Sequence, residues 1–93
     1  MALSTIEQAI EALKAGKPIL VADDENRENE GDAIIAAELV TEEWMAGIVR
    51  NTTGFLCVPM EESRANELEL PLMTVQNEDP HVTNYTVSVD AAN

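Results

Sequence analysis

The sequence predicts an α+β domain in which short helices and strands pack in layers around one core. Apolar residues recur at helical spacing in two parts of the chain, and compact β-favouring runs separate these parts. The hydrophobic share of 45% is ordinary for a globular protein and higher than disordered acidic chains have. We therefore expect the 93 residues to form one small domain without internal repeats.

The first predicted element is an amphipathic helix near the start of the sequence. Ser4 followed by Glu7 matches a capping box, and Gly16 readily adopts the left-handed conformation of a helix end. The apolar positions between these signals are Ile6, Ala9, Ile10 and Leu13. Their spacing places them on one face of a helix.

Two apolar runs, Pro18 to Ala22 and Ala33 to Ala37, are predicted to form buried strands. Between them lies the acidic loop, Asp23 to Asp32, which consists mainly of acidic and amide residues. The sequence therefore predicts a loop that is held between two rigid elements.

A second helix is predicted after Thr41, whose side chain can cap it. Glu42 and Glu43 follow in the first turn, where carboxylates interact favourably with the positive end of the helix dipole. Residues 51–54 end this helix. The positions expected to face inward are Met45, Ile48 and Val49.

The remaining sequence predicts two further strands and a third helix. Phe55 to Pro59 favours a strand, and Glu61 to Leu68 favours a short helix that ends before Pro71. Pro71 to Val82 is expected to be a polar loop. Tyr85 to Asp90 alternates apolar and polar residues, which is typical of a half-buried strand.

Charge and cysteine content exclude several classes of protein. Eighteen acidic and five basic residues give a net charge of −13, which repels nucleic acids and anionic lipid surfaces. No apolar run approaches the roughly 20 residues of a membrane span. Cys57 is the single cysteine and no signal-peptide pattern is present, so we expect a cytoplasmic protein without disulfides.

The acidic loop places six carboxylates and one arginine within ten residues. Crowded carboxylates repel one another unless a cation relieves the repulsion, and oxygen-rich sites suit Mg²⁺, Ca²⁺ or Mn²⁺. A calcium-binding EF-hand does not fit, because Asn29 and Ile35 occupy its glycine and final glutamate positions. A solvated acidic turn and a metal-assisted sugar-phosphate site remain, with Arg27 able to pair a phosphate in the second case.

The sequence of the acidic loop, DDENRENEGD, resembles the signature loop of the 3,4-dihydroxy-2-butanone-4-phosphate synthases. Segments 54–59, 68–73 and 86–90, together with Asn77, match the same family in order over nearly the whole chain. The resemblance implies a three-layer α/β/α arrangement around a mixed sheet and a homodimer. Residues 1–93 would then be the N-terminal portion of a single domain whose C-terminal portion is absent.

The resemblance also implies a function. Members of this family are lyases of riboflavin biosynthesis that convert ribulose 5-phosphate to 3,4-dihydroxy-2-butanone 4-phosphate and formate. Mg²⁺ or Mn²⁺ would bind neighbouring oxygens of the substrate and stabilise an enediolate, while a carboxylate moves the proton. The cation would also offset the repulsion between an acidic protein and an anionic substrate.

Five positions of the acidic loop match functional positions of the family. Glu28 resembles the metal-binding glutamate, and it would contact the substrate together with Arg27 and Asp32. Asp23 and Glu30 are the candidates for acid–base catalysis. The resemblance therefore concentrates the predicted active site in this loop.

Three further positions bear on the site. Cys57 resembles a catalytic or pocket cysteine of the family, although a lone cysteine in an apolar strand is more often a packing residue. His81 is interpreted as a surface or gating histidine rather than a metal ligand. Val82 replaces a glycine that is usual in the family, and a β-branched residue does not easily adopt positive φ.

The family's metal-binding histidine, its basic phosphate contacts and a later glutamate have no counterpart in this sequence. One glutamate and water molecules make a poor Mg²⁺ site, because Mg²⁺ requires a nearly octahedral shell. We therefore expect the isolated chain to be inactive or nearly so. Two non-catalytic alternatives are a truncated dimerisation module and an acidic domain that binds divalent cations without a substrate.

Overall fold

The computed structural model of the chain describes residues 3–76 and 83–90. Its helices and small antiparallel sheet confirm the predicted α+β class. Asn77, His81 and Val82 lie outside the described residues, so the interpretations of these positions stay predictions. In chain order, the elements are the helix α1 (Ile6–Lys14), the strands β1 (Ile19–Ala22) and β2 (Gly31–Ile34), and the helices α2 (Glu42–Asn51) and α3 (Glu62–Glu67).

The chain forms two compact units, Met1–Val58 and Pro59–Asn93. The first unit contains α1, the two paired strands and α2, and within it α1 lies against β1. The second unit contains α3. The acidic loop connects β1 to β2 and therefore belongs to the first unit.

The capping box of α1 forms one residue later than predicted, at Thr5 instead of Ser4. Thr5 Oγ1 accepts a hydrogen bond from the Gln8 N–H at 3.1 Å, and Gln8 Oε1 accepts one from the Thr5 N–H at 2.9 Å. The amide oxygen of Gln8 can replace the predicted carboxylate of Glu7 in the capping box. Either group accepts a hydrogen bond from a backbone N–H that has no partner within the helix. The helix consequently begins at Ile6.

The helices α1 and α3 end in the same Schellman motif but with different residues in its left-handed position. In α1 this residue is Gly16, with a φ of 76°, and the Lys17 N–H donates to the Ala12 carbonyl at 3.0 Å. In α3 it is Glu69, with a φ of 56°, and the Leu70 N–H donates back into the helix at 2.9 Å. Glu69 occupies a conformation that costs an L-residue about 1–2 kcal/mol and that glycine adopts freely.

The strands β1 and β2 form an antiparallel hairpin with the acidic loop at its tip. β2 begins at Gly31, two residues before the predicted Ala33, and ends correspondingly early. The reason is that the Asp23 N–H donates to the Glu30 carbonyl at 3.0 Å, which continues the ladder into the loop. The register pairs Ile19 with Ile34, Leu20 with Ala33, Val21 with Asp32 and Ala22 with Gly31.

The predicted cap of α2 is confirmed. Thr41 Oγ1 accepts a hydrogen bond from the Trp44 N–H at 3.2 Å, as the sequence led us to expect. The helix ends at Asn51, and Gly54 follows with a φ of 77°. The signals at both ends of this helix are local, which explains why the sequence revealed them.

Two predicted strands are not regular strands in the part of the chain that the structure describes. Residues 55–59 have no strand assignment, and Tyr85–Asp90 contributes only a single antiparallel bridge, Leu72 to Thr86. Leu72 of this bridge lies at the start of the segment predicted to be a polar loop, Pro71 to Val82. A β-favouring sequence becomes a strand only beside a partner strand, and residues 56–59 have no backbone hydrogen bonds to one within the described chain.

No side chain among residues 3–76 and 83–90 is buried. Leu20 of β1, for example, is 85% exposed, so the prediction of two buried strands is wrong for the described structure. Burial of both faces of a hairpin needs packed layers on two sides, whereas the described helices contact β1 mainly through α1. The helices of the described residues include none that is long and apolar enough to cross a membrane.

The two Schellman motifs give the first testable prediction. In Gly16→Ala the added Cβ would lie 3.6 Å from Leu39 Cβ, an ordinary contact, so the penalty arises from the positive φ. A penalty of about 1–2 kcal/mol predicts roughly 5–30-fold faster hydrogen exchange of the Lys17 amide. The reciprocal variant Glu69→Gly should slow exchange of the Leu70 amide. Unchanged exchange at both amides would contradict this account.

Candidate active site

The acidic loop begins with a turn that Asp24 organises. Its Oδ1 accepts a hydrogen bond from the Asn26 N–H at 2.7 Å, and its backbone carbonyl accepts from the N–H groups of Arg27 at 2.9 Å and Asn29 at 3.2 Å. Asn29 then adopts positive φ, 52°, which asparagine tolerates better than most residues. Neither role was predicted from the sequence, although an Asp followed by Asn two and five positions later is a recognisable turn signal.

The carboxylate of Asp23 is the centre of the loop. Its Oδ1 accepts a hydrogen bond from the Glu30 N–H at 2.7 Å, and its Oδ2 accepts from the Glu28 N–H at 3.1 Å and from Arg27 Nη1 at 3.0 Å. The side chain is 22% exposed, which makes it one of the more enclosed groups of the loop. Three donors from three residues therefore converge on one carboxylate.

These donors stabilise the ionised form of Asp23. The backbone N–H of Glu30 is the largest cause that lowers the pKa of Asp23 below its usual value of 3.8, and Arg27 and the N–H of Glu28 lower it further. Partial desolvation opposes this shift but does not outweigh it. Asp23 consequently carries a negative charge at neutral pH.

Arg27 joins two carboxylates of the loop. Its Nη1 lies 3.0 Å from Asp23 Oδ2 and 2.6 Å from Glu28 Oε1. The hydrogen bond to Asp23 is the main cause that raises the pKa of Arg27, followed by the charge of Glu28. The Arg27 side chain is 64% exposed, so solvent screens both ion pairs and the guanidinium stays accessible to a ligand.

The structure brings together four of the predicted site residues, Asp23, Arg27, Glu28 and Glu30. Asp32 lies on β2 opposite Val21, on the strand that leaves the loop. Cys57 is exposed and has no hydrogen bond or ion pair to the loop within the described residues. The roles predicted for all six residues stay predictions.

The carboxylates of the acidic loop are the type of ligand that a hard cation binds. Carboxylate oxygens are the ligands that Mg²⁺ prefers, and Glu28 could supply one. Among residues 3–76 and 83–90, however, no three histidine, cysteine or acidic side chains are grouped closely enough to hold a metal ion. The role of Glu28 as a metal ligand therefore stays a prediction.

Comparison with known proteins identifies the family. A family model described as 3,4-dihydroxy-2-butanone 4-phosphate synthase matches residues 7–93. The chain belongs to this family. A 3,4-dihydroxy-2-butanone 4-phosphate synthase of Candida albicans is 55% identical over 87 residues, and a bifunctional riboflavin biosynthesis protein of rice is 56% identical over 90 residues. The resemblance of the acidic loop to this family is thereby confirmed.

Solved structures support the same assignment. A 3,4-dihydroxy-2-butanone 4-phosphate synthase in complex with two magnesium ions is 48% identical and superposes with a TM-score of 0.93 over 98% of the chain. The chain spans 42% of that protein, 43% of the Candida albicans relative and 17% of the rice relative. It therefore corresponds to less than half of the length of these relatives.

The hydrogen bonds of Asp23 give the second prediction. Because the folded loop lowers the pKa of Asp23, its ionisation stabilises the loop above pH 3.8, and this stabilisation is lost as the pH falls through the lowered pKa. The NMR shift of the Glu30 amide proton should report this transition with a midpoint below pH 3.8.

Two variants test whether Asp23 itself causes this transition. Asp23→Asn should abolish the acidic transition at Glu30, whereas Glu25→Gln in the same loop should preserve it. A midpoint at or above pH 3.8 in the unmodified chain would contradict the proposed hydrogen-bonded state of Asp23.

Proposed function

We propose that the chain supplies the acidic loop of a 3,4-dihydroxy-2-butanone 4-phosphate synthase active in riboflavin biosynthesis. The proposed lyase reaction converts ribulose 5-phosphate to 3,4-dihydroxy-2-butanone 4-phosphate and formate. The observation that supports this proposal best is the Arg27–Glu28 pair, fixed by hydrogen bonds to Asp23 in a chain of this family. It presents a guanidinium and a carboxylate side by side.

Arg27 is suited to contact the substrate. A chain with a net charge of −13 repels a sugar phosphate, so binding requires a local positive group. Arg27 is the one basic residue of the acidic loop, and its exposed guanidinium can donate to phosphate or hydroxyl oxygens. Asp32 is the proposed acceptor for a substrate hydroxyl at the start of β2.

Glu28 is the proposed metal ligand, and the remaining ligands would come from a part of the family domain that this chain does not match. Mg²⁺, or Mn²⁺ in its place, would supply Lewis-acid polarisation of substrate oxygens when bound. Glu28 would hold the cation through its carboxylate, and Arg27, whose guanidinium is paired with Glu28 Oε1, would contact the substrate.

The environments of the two proposed acid–base residues differ. Asp23 has a lowered pKa and three hydrogen-bond donors, so its carboxylate accepts a proton poorly. Glu30 uses its backbone N–H to bind Asp23 and leaves its own carboxylate exposed. We therefore assign proton transfer to Glu30 and the positioning of Arg27 and Glu28 to Asp23, with Cys57 as a third candidate near the substrate.

The isolated chain is proposed to be inactive, since it spans less than half of its relatives and groups no complete metal site within its described residues. A homodimer stays a prediction from the family resemblance, and a cytoplasmic location stays a prediction from the single cysteine and the lack of a signal-peptide pattern. The activity is proposed for an assembled domain that contains this chain.

A chimera tests this function directly. In it, residues 7–93 replace the matched 43% of the Candida albicans relative, and formate release from ribulose 5-phosphate is measured with Mg²⁺. We expect activity that is lost without divalent cation. Glu28→Gln should lower the rate by at least about 100-fold, because the amide no longer carries the charge that holds the metal.

Glu25→Gln is the matched control, since Glu25 is an exposed acidic residue of the same loop. It should change formate release by no more than about twofold. A folded chimera without activity would contradict the proposed function. Equal losses in Glu28→Gln and Glu25→Gln would contradict the specific role of Glu28.

A further inference from the structure

Two backbone N–H groups of the acidic loop converge on one carboxylate. The N–H of Glu28 donates to Asp23 Oδ2 at 3.1 Å, and the N–H of Glu30 donates to Asp23 Oδ1 at 2.7 Å. The residue between these two donors is Asn29, whose φ is 52°. Backbone N–H groups on either side of a left-handed residue form a concavity that binds anions, which is called a nest. The Asp23 carboxylate occupies this nest.

A negative φ at Asn29 would not bring the two donors together. In an extended backbone, N–H groups two residues apart are separated by about 6.6 Å, which is too far for the two oxygens of one carboxylate. In a helical backbone, the N–H groups run parallel to the axis and do not converge. The left-handed conformation of Asn29 is therefore the feature that allows both N–H groups to reach Asp23.

The contribution of Asn29 lies in its backbone. Its N–H donates to the carbonyl of Asp24 at 3.2 Å, which ties the residue to the start of the loop. Its side chain is exposed and has no hydrogen-bond partner within the part of the chain that the structure describes. Asparagine adopts positive φ more readily than most L-residues do. The side chain thus matters through the backbone conformation that it permits.

Asn29 separates the two residues to which metal binding and proton transfer are assigned. The carboxylate of Glu28, the proposed metal ligand, lies 2.6 Å from Arg27 Nη1. The side chain of Glu30, the proposed proton-transfer residue, is exposed. Each of the two is anchored to Asp23 through its own N–H, so the direction in which its side chain leaves the loop depends on the nest. Loss of the turn at Asn29 would break both hydrogen bonds together.

We propose that Asn29 is a positioning residue, whose left-handed backbone holds Glu28 and Glu30 on the Asp23 carboxylate in the orientation that the reaction requires. The catalytic consequence of this role rests on the proposed function, whereas its geometry depends on the loop alone. Asn29 acts through the backbone of its two neighbours and not through contact of its amide with the substrate. Glycine would serve equally well at this position, whereas a β-branched residue would not.

Amide hydrogen exchange of the 93-residue chain, followed by NMR, tests the geometry. Asn29→Val should speed exchange of the Glu28 and Glu30 amides at least about tenfold, because a β-branched residue rarely adopts positive φ. Asn29→Gly removes the amide side chain but retains the conformation, so both rates should stay within about threefold. Each rate is corrected for the effect of the neighbouring side chain on the intrinsic exchange of an amide.

Asn26→Val is the matched control. Asn26 is an exposed asparagine of the same loop without positive φ. Its backbone N–H donates to Asp24 Oδ1 at 2.7 Å, and the variant retains this donor. Exchange of the Glu28 and Glu30 amides should therefore stay within about threefold of the unmodified chain. Far-UV circular dichroism checks that all variants retain their helices.

The chimera with the Candida albicans relative measures the catalytic consequence. Asn29→Val should lower the kcat of formate release at least about tenfold, because Glu28 and Glu30 are no longer held in place. Asn29→Gly should retain kcat within about threefold. A contact between the Asn29 amide and the substrate would instead make Asn29→Gly raise KM.

Three outcomes would overturn the proposal. One is unchanged exchange of both amides in Asn29→Val, and another is the same acceleration in Asn26→Val. The third is an active chimera in which Asn29→Gly and Asn29→Val have the same effect. An inactive unmodified chimera would refute the proposed function, whereas the exchange rates would still decide whether Asn29 holds Glu28 and Glu30.

Discussion

The geometry of the acidic loop depends on one carboxylate, that of Asp23. Its two oxygens accept hydrogen bonds from the N–H groups of Glu28 and Glu30 and from the guanidinium of Arg27. Without this acceptor, the two amides and the arginine would have to bond to water, and only the direct ion pair between Arg27 and Glu28 would remain. The loop contains six carboxylates that repel one another. The donors to Asp23 stabilise its negative charge and so offset part of this repulsion.

The hairpin positions the Asp23 carboxylate at the base of the acidic loop. The ladder of β1 and β2 runs past Ala22 and Gly31 into the backbone hydrogen bond between Asp23 and Glu30. Asp23 therefore stands at the point where the strands meet the loop, with the rest of the turn within reach of its side chain. The same register fixes Asp32 on the strand that leaves the loop.

Local hydrogen bonds specify the described elements more fully than packing does. Thr5 and Thr41 cap their helices, and the left-handed residues Gly16 and Glu69 end two of them. In contrast, no side chain of residues 3–76 and 83–90 is buried, and the apolar side chains of Phe55, Leu56 and Val58 are mostly exposed. Apolar surface of this kind has a favourable free energy of burial, so it is suited to contact further polypeptide.

The sequence by itself determined the helices, the presence of a strand on each side of the acidic loop, the family and the loop that carries the candidate site. Each depends on signals within a few residues, such as the cap at Thr41 or the motif of the acidic loop. Only the tertiary structure decided that β2 starts at Gly31, that Asp23 receives three donors and that residues 55–59 form no regular strand. These features depend on which groups meet across space, and a linear pattern does not specify the partner of a strand or a carboxylate.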